Sequence, residues 1–264
     1  MPILDHIDKQ VVTFAPVRYF LDIAYRGTTF HGWQIQPNAS TVQEEINKAV
    51  SMLLQQPMEC LGSGRTDTGV HASQQIAHLD IHSEIDKDQL QYRLNALLPQ
   101  EISVNGIRQV KEEAHARFDA TSRSYEYHIH KQKNPFKTGL SYFFNRHVDI
   151  ELINQACELI KGWQNFQAFS KVHTDVKTFD CTIHHIEWKE SNDSHVFSVS
   201  ANRFLRGMVR AMVGTLLEIG QNKMSVADLE EVLKSGIRSN AGRSAPPEGL
   251  FLTAVDYPKD IYID

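Results

Sequence analysis

Segments of period two and segments of period 3.6 take turns along this chain, twice over, and that alternation confines it to an α+β fold. Residues 17–25 (VRYFLDIAY) alternate as a strand does. Thr41-Val-Gln-Glu44 reads as a capping box, after which Val42, Ile46, Ala49, Val50, Leu53 and Leu54 recur at helical spacing until Pro57. A strand is predicted over 74–82, a helix over 88–98 stopped by Pro99, and a further strand over 102–108. A second unit opens at residues 122–130, a strand with Tyr125, Tyr127 and Ile129 on one face. It continues with a helix over 151–161, strands over 178–189 and 195–201, and a long helix over 203–219. A shorter helix from a Ser225 cap to Gly236 and a strand over 249–256 complete it. The expected architecture is two α+β lobes with mainly antiparallel sheets and flanking helices. Residues 1–16 form an extension, 17–112 an N-terminal domain and 113–264 a C-terminal domain.

One loop carries more chemistry than a turn requires. Residues 62–73 read Gly-Ser-Gly-Arg-Thr-Asp-Thr-Gly-Val-His-Ala-Ser. Glycines let the backbone approach a ligand closely. Asp67 sits between two threonines, and Arg65 supplies a planar cation that can hold a nearby carboxylate ionised. A carboxylate presented this way is a candidate nucleophile or general base. The same residues also suit a plain Asx turn. A phosphate loop is excluded, because no Gly-Lys-Ser/Thr follows.

Charge is unevenly placed. The net formal charge is −5, yet residues 105–147 hold eight Lys/Arg against four Asp/Glu, and residues 203–243 hold seven against four. Two basic blocks on an acidic body can form a surface for nucleic acid. Arg203, Arg206 and Arg210 are spaced to share one face of the 203–219 helix. No apolar run is long enough for a membrane helix, and the N-terminus does not read as a secretory signal. Three widely spaced cysteines, Cys60, Cys157 and Cys181, suit reduced thiols in a cytoplasmic protein.

Several strings fall in an order that resembles the tRNA pseudouridine synthase A family. They are YRGTTFHGWQ (25–34), WQIQPNASTVQ (33–43), GRTDTGVHA (64–72), NALLP (95–99), HARFDATSRSYEY (115–127), FLRGMVRAMVGTLL (204–217) and GLFLTAVDY (249–257). The resemblance covers the chain from about residue 17 to residue 257 and implies an active-site cleft between the lobes. It implies isomerisation of uridine to pseudouridine at positions 38, 39 and 40 of the tRNA anticodon stem-loop. A homodimer without cofactor or metal is expected. Asp67 takes the catalytic carboxylate role, either attacking the ribose or removing a ribose proton. Arg210 is its expected partner. Arg65 either holds Asp67 ionised or enters the RNA in place of the extruded base. Tyr125 is expected to stack on the base, and Arg117, Arg123, Arg203 and Arg206 to contact the RNA backbone. Tyr127, Trp33 and Gln34 are read as packing.

Three rivals stand beside this reading. One is a pseudouridine synthase with another RNA target, and a second is an RNA-binding protein without catalysis. A metal hydrolase is the third, prompted by thirteen histidines. His78 and His82 fall on a predicted strand, where four residues span about 14 Å, too far to share an ion.

Overall fold

The computed structural model describes residues 15–172 and 176–263, so the expected extension 1–16 lies outside the described residues except for its last two. Side-chain oxygens open four of the helices. Thr41 caps α1 (Val42–Leu54) by accepting from the Glu44 amide at 3.4 Å. The expected box is not completed there, since the Glu44 carboxylate turns to Lys48 at 2.8 Å. Asp86 caps α2 (Lys87–Leu97) and Asp149 caps α3 (Ile150–Lys161). Ser225 and Asp228 form a full capping box on α5 (Val226–Ser235), which stops at left-handed Gly236.

Helix α4 (Met208–Gly220) differs. It begins five residues later than the sequence predicts, because Gly207 adopts φ +73° and ends any helical continuation from Arg203. The turn before it is fixed by the Lys171 amide donating to the Arg206 carbonyl at 2.9 Å. Arg203 and Arg206 therefore do not share a helical face with Arg210. The strand expected over 178–189 also starts late, at Ile183. The residues before it bond elsewhere: Phe179 accepts from the Phe166 amide, and the Cys181 amide donates to the Gln164 carbonyl.

Among the described residues, nine strands form one sheet. They are β1 (Val17–Tyr25), β2 (Leu61–Gly62), β3 (His71–Ile81), β4 (Ile102–Gln109), β5 (Ser122–His130), β6 (Tyr142–Phe143), β7 (Ile183–Ser191), β8 (Ser194–Ala201) and β9 (Leu250–Asp256). The order is β4-β1-β3-β9-β5-β8-β7, with β2 on β3 and β6 on β5. Only the β3–β9 and β5–β6 pairs are parallel, so the α+β, mainly antiparallel reading of the sequence stands.

Strand β9 joins the two halves of the sheet. Its ladder with β3 is only two pairs long, His71 with Phe251 and Ala72 with Leu252. Side chains extend it: Ser73 Oγ donates to the Leu252 carbonyl, and Gln74 Oε1 accepts from the Val255 amide at 3.1 Å. Two apolar cores flank the sheet, and they exchange members. Val70, from the loop before β3, is buried in the core of the second half. Leu252 and Val255 of β9 are buried in the core of the first. Fully burying one such side chain is worth about 1.5–3 kcal/mol. The loop between Gly62 and His71 is thus held from both sides.

Candidate active site

The Asp67 loop is pinned along its length. Its entry is paired to β3 through Gly62 opposite Ala77, and the Ser63 amide donates to the Ile76 carbonyl at 2.7 Å. Gln75 Nε2 donates to the Gly64 carbonyl at 2.9 Å. The buried Tyr25 hydroxyl bonds Thr66 Oγ1 at 2.8 Å, and the Trp33 amide donates to the Thr66 carbonyl at 3.3 Å. Gly32, at φ +89°, lies so close beneath that a Cβ there would strike the Thr66 carbonyl. The Val70 amide donates to the Asp67 carbonyl at 3.1 Å and closes the turn. Trp33 therefore packs against this loop, as the sequence suggests.

The Asp67 carboxylate, about a quarter exposed, meets two guanidinium groups. Arg210 Nη1 lies 3.4 Å from Oδ2, and Arg206 Nε lies 3.6 Å from Oδ1. These contacts are unequal. Arg206 is half exposed, and such an ion pair contributes about 0–1 kcal/mol. Arg210 is mostly buried and aimed, since its Nε donates to the Ala245 carbonyl at 2.7 Å while Nη1 reaches Asp67. The Arg210 carbonyl in turn accepts from the Ala245 amide at 2.9 Å.

Ala245 ends a segment that is fastened along α4. The Gly242 amide donates to Thr215 Oγ1 at 3.0 Å, and the Arg243 amide donates to Glu218 Oε1 at 3.3 Å. Gly214 faces the Arg243 carbonyl with no room for a Cβ. On the outer side, Arg238 donates to the Gly242 carbonyl at 3.0 Å and to Ser244 Oγ at 2.8 Å. Nothing local in the sequence signals this clamp, which joins residues more than twenty positions apart.

A cleft of about 680 Å³ opens over Asp67, in the range of small-molecule sites. Its walls come from both halves: His31, Gln34 and Thr66 from the first, Phe169, Lys171 and Arg238 from the second. Arg65 lines the rim and is exposed; among the described residues it makes no ion pair with Asp67. The cations on the carboxylate are Arg206 and Arg210, and the part played by Arg206 was not visible in the sequence.

Tyr125 sits where β5 and β9 slip register, between Ser124 and Tyr125, and its ring touches both cores. It meets Phe204 edge-on at 5.1 Å. Burial pushes its phenol up to about 12, with Arg123 opposing and the Asp67 charge adding to the rise. Among the described residues its hydroxyl has no hydrogen-bond partner, whereas buried Tyr127 donates to the Pro246 carbonyl at 2.7 Å. Arg123 is committed to main chain: Nη1 donates to the carbonyls of Ala120 and Asn202, and Nη2 to those of Ser63 and Arg117. Burial lowers its pKa. Arg117 is exposed, and Arg203 is half-buried outside the lining of the cleft. His78 is buried on β3 and accepts from the Ala116 amide at 3.1 Å, while His82 lies exposed beyond the strand. No cluster of three or more metal-ligating side chains occurs among the described residues, nor any helix long and apolar enough to cross a membrane.

The family model described as tRNA pseudouridine synthase matches residues 23–119 and 156–258. The chain is 47% identical over 247 residues to the tRNA pseudouridine synthase A of Bacteroides fragilis, covering 93% of this chain and 98% of that one. It is 48% identical over 248 residues to the protein of that name from Bacteroides thetaiotaomicron, covering 93% and 92%. The corresponding protein of Bacillus licheniformis is 37% identical over 239 residues, covering 89% and 97%.

Proposed function

The chain belongs to the tRNA pseudouridine synthase family, and on that premise we propose that Asp67 is the carboxylate that begins isomerisation of a uridine in tRNA. The protein is an isomerase acting on tRNA. Its reaction breaks the bond from ribose C1′ to uracil N1 and forms one from C1′ to C5. The C5 proton leaves, and N1 takes one up. No electrons are exchanged and no group leaves the RNA, so the chemistry as written calls for no redox cofactor.

The observation that carries the reading is the Asp67 carboxylate on the floor of a two-sided cleft, with the Arg210 fork aimed at it from α4. A uridine can reach it only when taken out of its stack. Asp67 then either attacks C1′ or removes the C2′ proton, and both routes need the carboxylate held in place. Arg210 is the positioning cation; Arg206, more exposed, is placed to meet a phosphate as well as Asp67. Arg65 stands at the rim, suited to fill the gap left by the extruded base. Tyr125 supports the base, and its phenol, neutral at pH 7, passes the C5 proton only as a relay. Arg117 and Arg203 contact RNA backbone, and Arg123 holds both segments by donating to the carbonyls of Arg117 and Asn202.

The target is the anticodon stem-loop, at positions 38, 39 and 40, and the working form is a cytoplasmic homodimer. The test uses unmodified tRNA transcripts, with pseudouridine mapped by carbodiimide-dependent primer extension. Wild type is expected to mark the anticodon arm. Asp67→Asn is expected to bind tRNA normally and give background signal. Turnover surviving in that variant removes Asp67 from its role, and signal confined to another arm reassigns the substrate.

A further inference from the structure

We infer that Phe118 is a stacking platform for a second, unstacked base of the RNA substrate, outside the cleft that takes the target uridine. This rests on the reading that the chain acts on tRNA. Phe118 is 73% exposed, yet the main chain around it is fixed at nearly every peptide. The His115 amide donates to Asp119 Oδ2 at 2.7 Å, and the Ala116 amide donates to His78 Nδ1. The amides of Arg117 and Phe118 both donate to His115 Nδ1, at 3.1 and 3.4 Å. Tyr257 donates to the Ala116 carbonyl, and Arg123 to the Arg117 carbonyl at 2.6 Å. A large apolar ring is thus kept in water by a backbone that cannot fold it away.

The ring is dressed for a base. Its centroid lies 4.3 Å from the His115 ring and 5.6 Å from the Arg117 guanidinium. Aromatic groups interleaved with cations are how proteins hold single-stranded nucleotides, the ring taking the base and the cation the phosphate. Position supports the same conclusion. One nitrogen of Arg123 donates both to the Arg117 carbonyl and to the Ser63 carbonyl, so this segment abuts the loop that runs on to Arg65 and Asp67. Other exposed aromatics lack this setting. Phe136, 91% exposed, follows Pro135 in a short turn, and Tyr92 lies on α2; neither has a cation over its ring among the described residues.

The test measures equilibrium binding of an unmodified tRNA transcript to the full chain, alongside the single-turnover rate at saturating tRNA. Phe118→Leu, which keeps apolar bulk but removes the π face, should weaken binding about tenfold, within the span reported for one stacked base. Its saturated rate should change by less than about twofold. Phe118→Trp should bind as tightly as wild type or tighter. Wild-type affinity in Phe118→Leu, or equal loss in Phe118→Trp, overturns the inference. Loss that follows dissociation of a dimer in sedimentation overturns it too, since the ring would then be an interface contact. A wild-type protein that makes no pseudouridine in any tRNA brings down the underlying reading and this one together.

Discussion

At the scale of single residues, Tyr125 separates structure from chemistry most cleanly. Its ring is built into two cores, but its hydroxyl has no hydrogen-bond partner among the described residues. Removing that oxygen orphans nothing, so Tyr125→Phe is expected to melt within about 1–2 °C of wild type. If the phenol relays the C5 proton, single-turnover conversion should still fall about 100-fold or more. An unchanged rate would reduce the residue to a stacking surface. Tyr127 offers the contrast, since its hydroxyl is used by Pro246. Residue chemistry was partly legible beforehand. A carboxylate set among glycines and threonines marked Asp67 as more than a turn. The sequence marks Arg206 only as an RNA-backbone contact, because no local pattern tells which arginine folds back upon a carboxylate about 140 positions away.

Between elements, the clamp of residues 241–245 on α4 decides whether Arg210 is aimed. Thr215, fully buried, accepts from the Gly242 amide and donates to the Ala211 carbonyl. Thr215→Val keeps the volume but leaves that amide buried without a partner, costing about 1–3 kcal/mol. A fall of several degrees in Tm is expected. Because the clamp also holds Ala245, kcat should drop further than stability alone explains, with tRNA affinity intact. Normal kcat in a folded, destabilised variant would show that Arg210 orients itself without the clamp. Capped helices were the readable elements: Ser225 announced α5 from sequence. The start of α4 was not, because Leu205 and Met208 continue an apolar rhythm across Gly207, whose left-handed backbone leaves no trace in that rhythm.

At the scale of the whole molecule, acid should weaken the fold at a definable place. Burial lowers His78 from 6.5 to about 4 in the folded protein, where its Nδ1 accepts from the Ala116 amide. The unfolded chain therefore takes up its proton first as pH falls, and stability is lost between about 6.5 and 4. Neighbouring His115, also lowered by burial, acts in the same direction. Between pH 7 and 5, His78→Gln should lose less of its urea midpoint than wild type does. Equal losses would assign the acid sensitivity to other groups. The alternation of strands and helices foretold the class of fold, but not that one sheet would run through both halves, since a parallel pairing of β3 with β9 unites residues about 180 positions apart. That strand has a consequence for the cell's timing. A nascent chain that has not yet released residues 250–256 carries two raw sheet edges, and its Asp67 loop is held from the first half alone. The two halves that wall the cleft therefore become one sheet only when β9 slides into the seam.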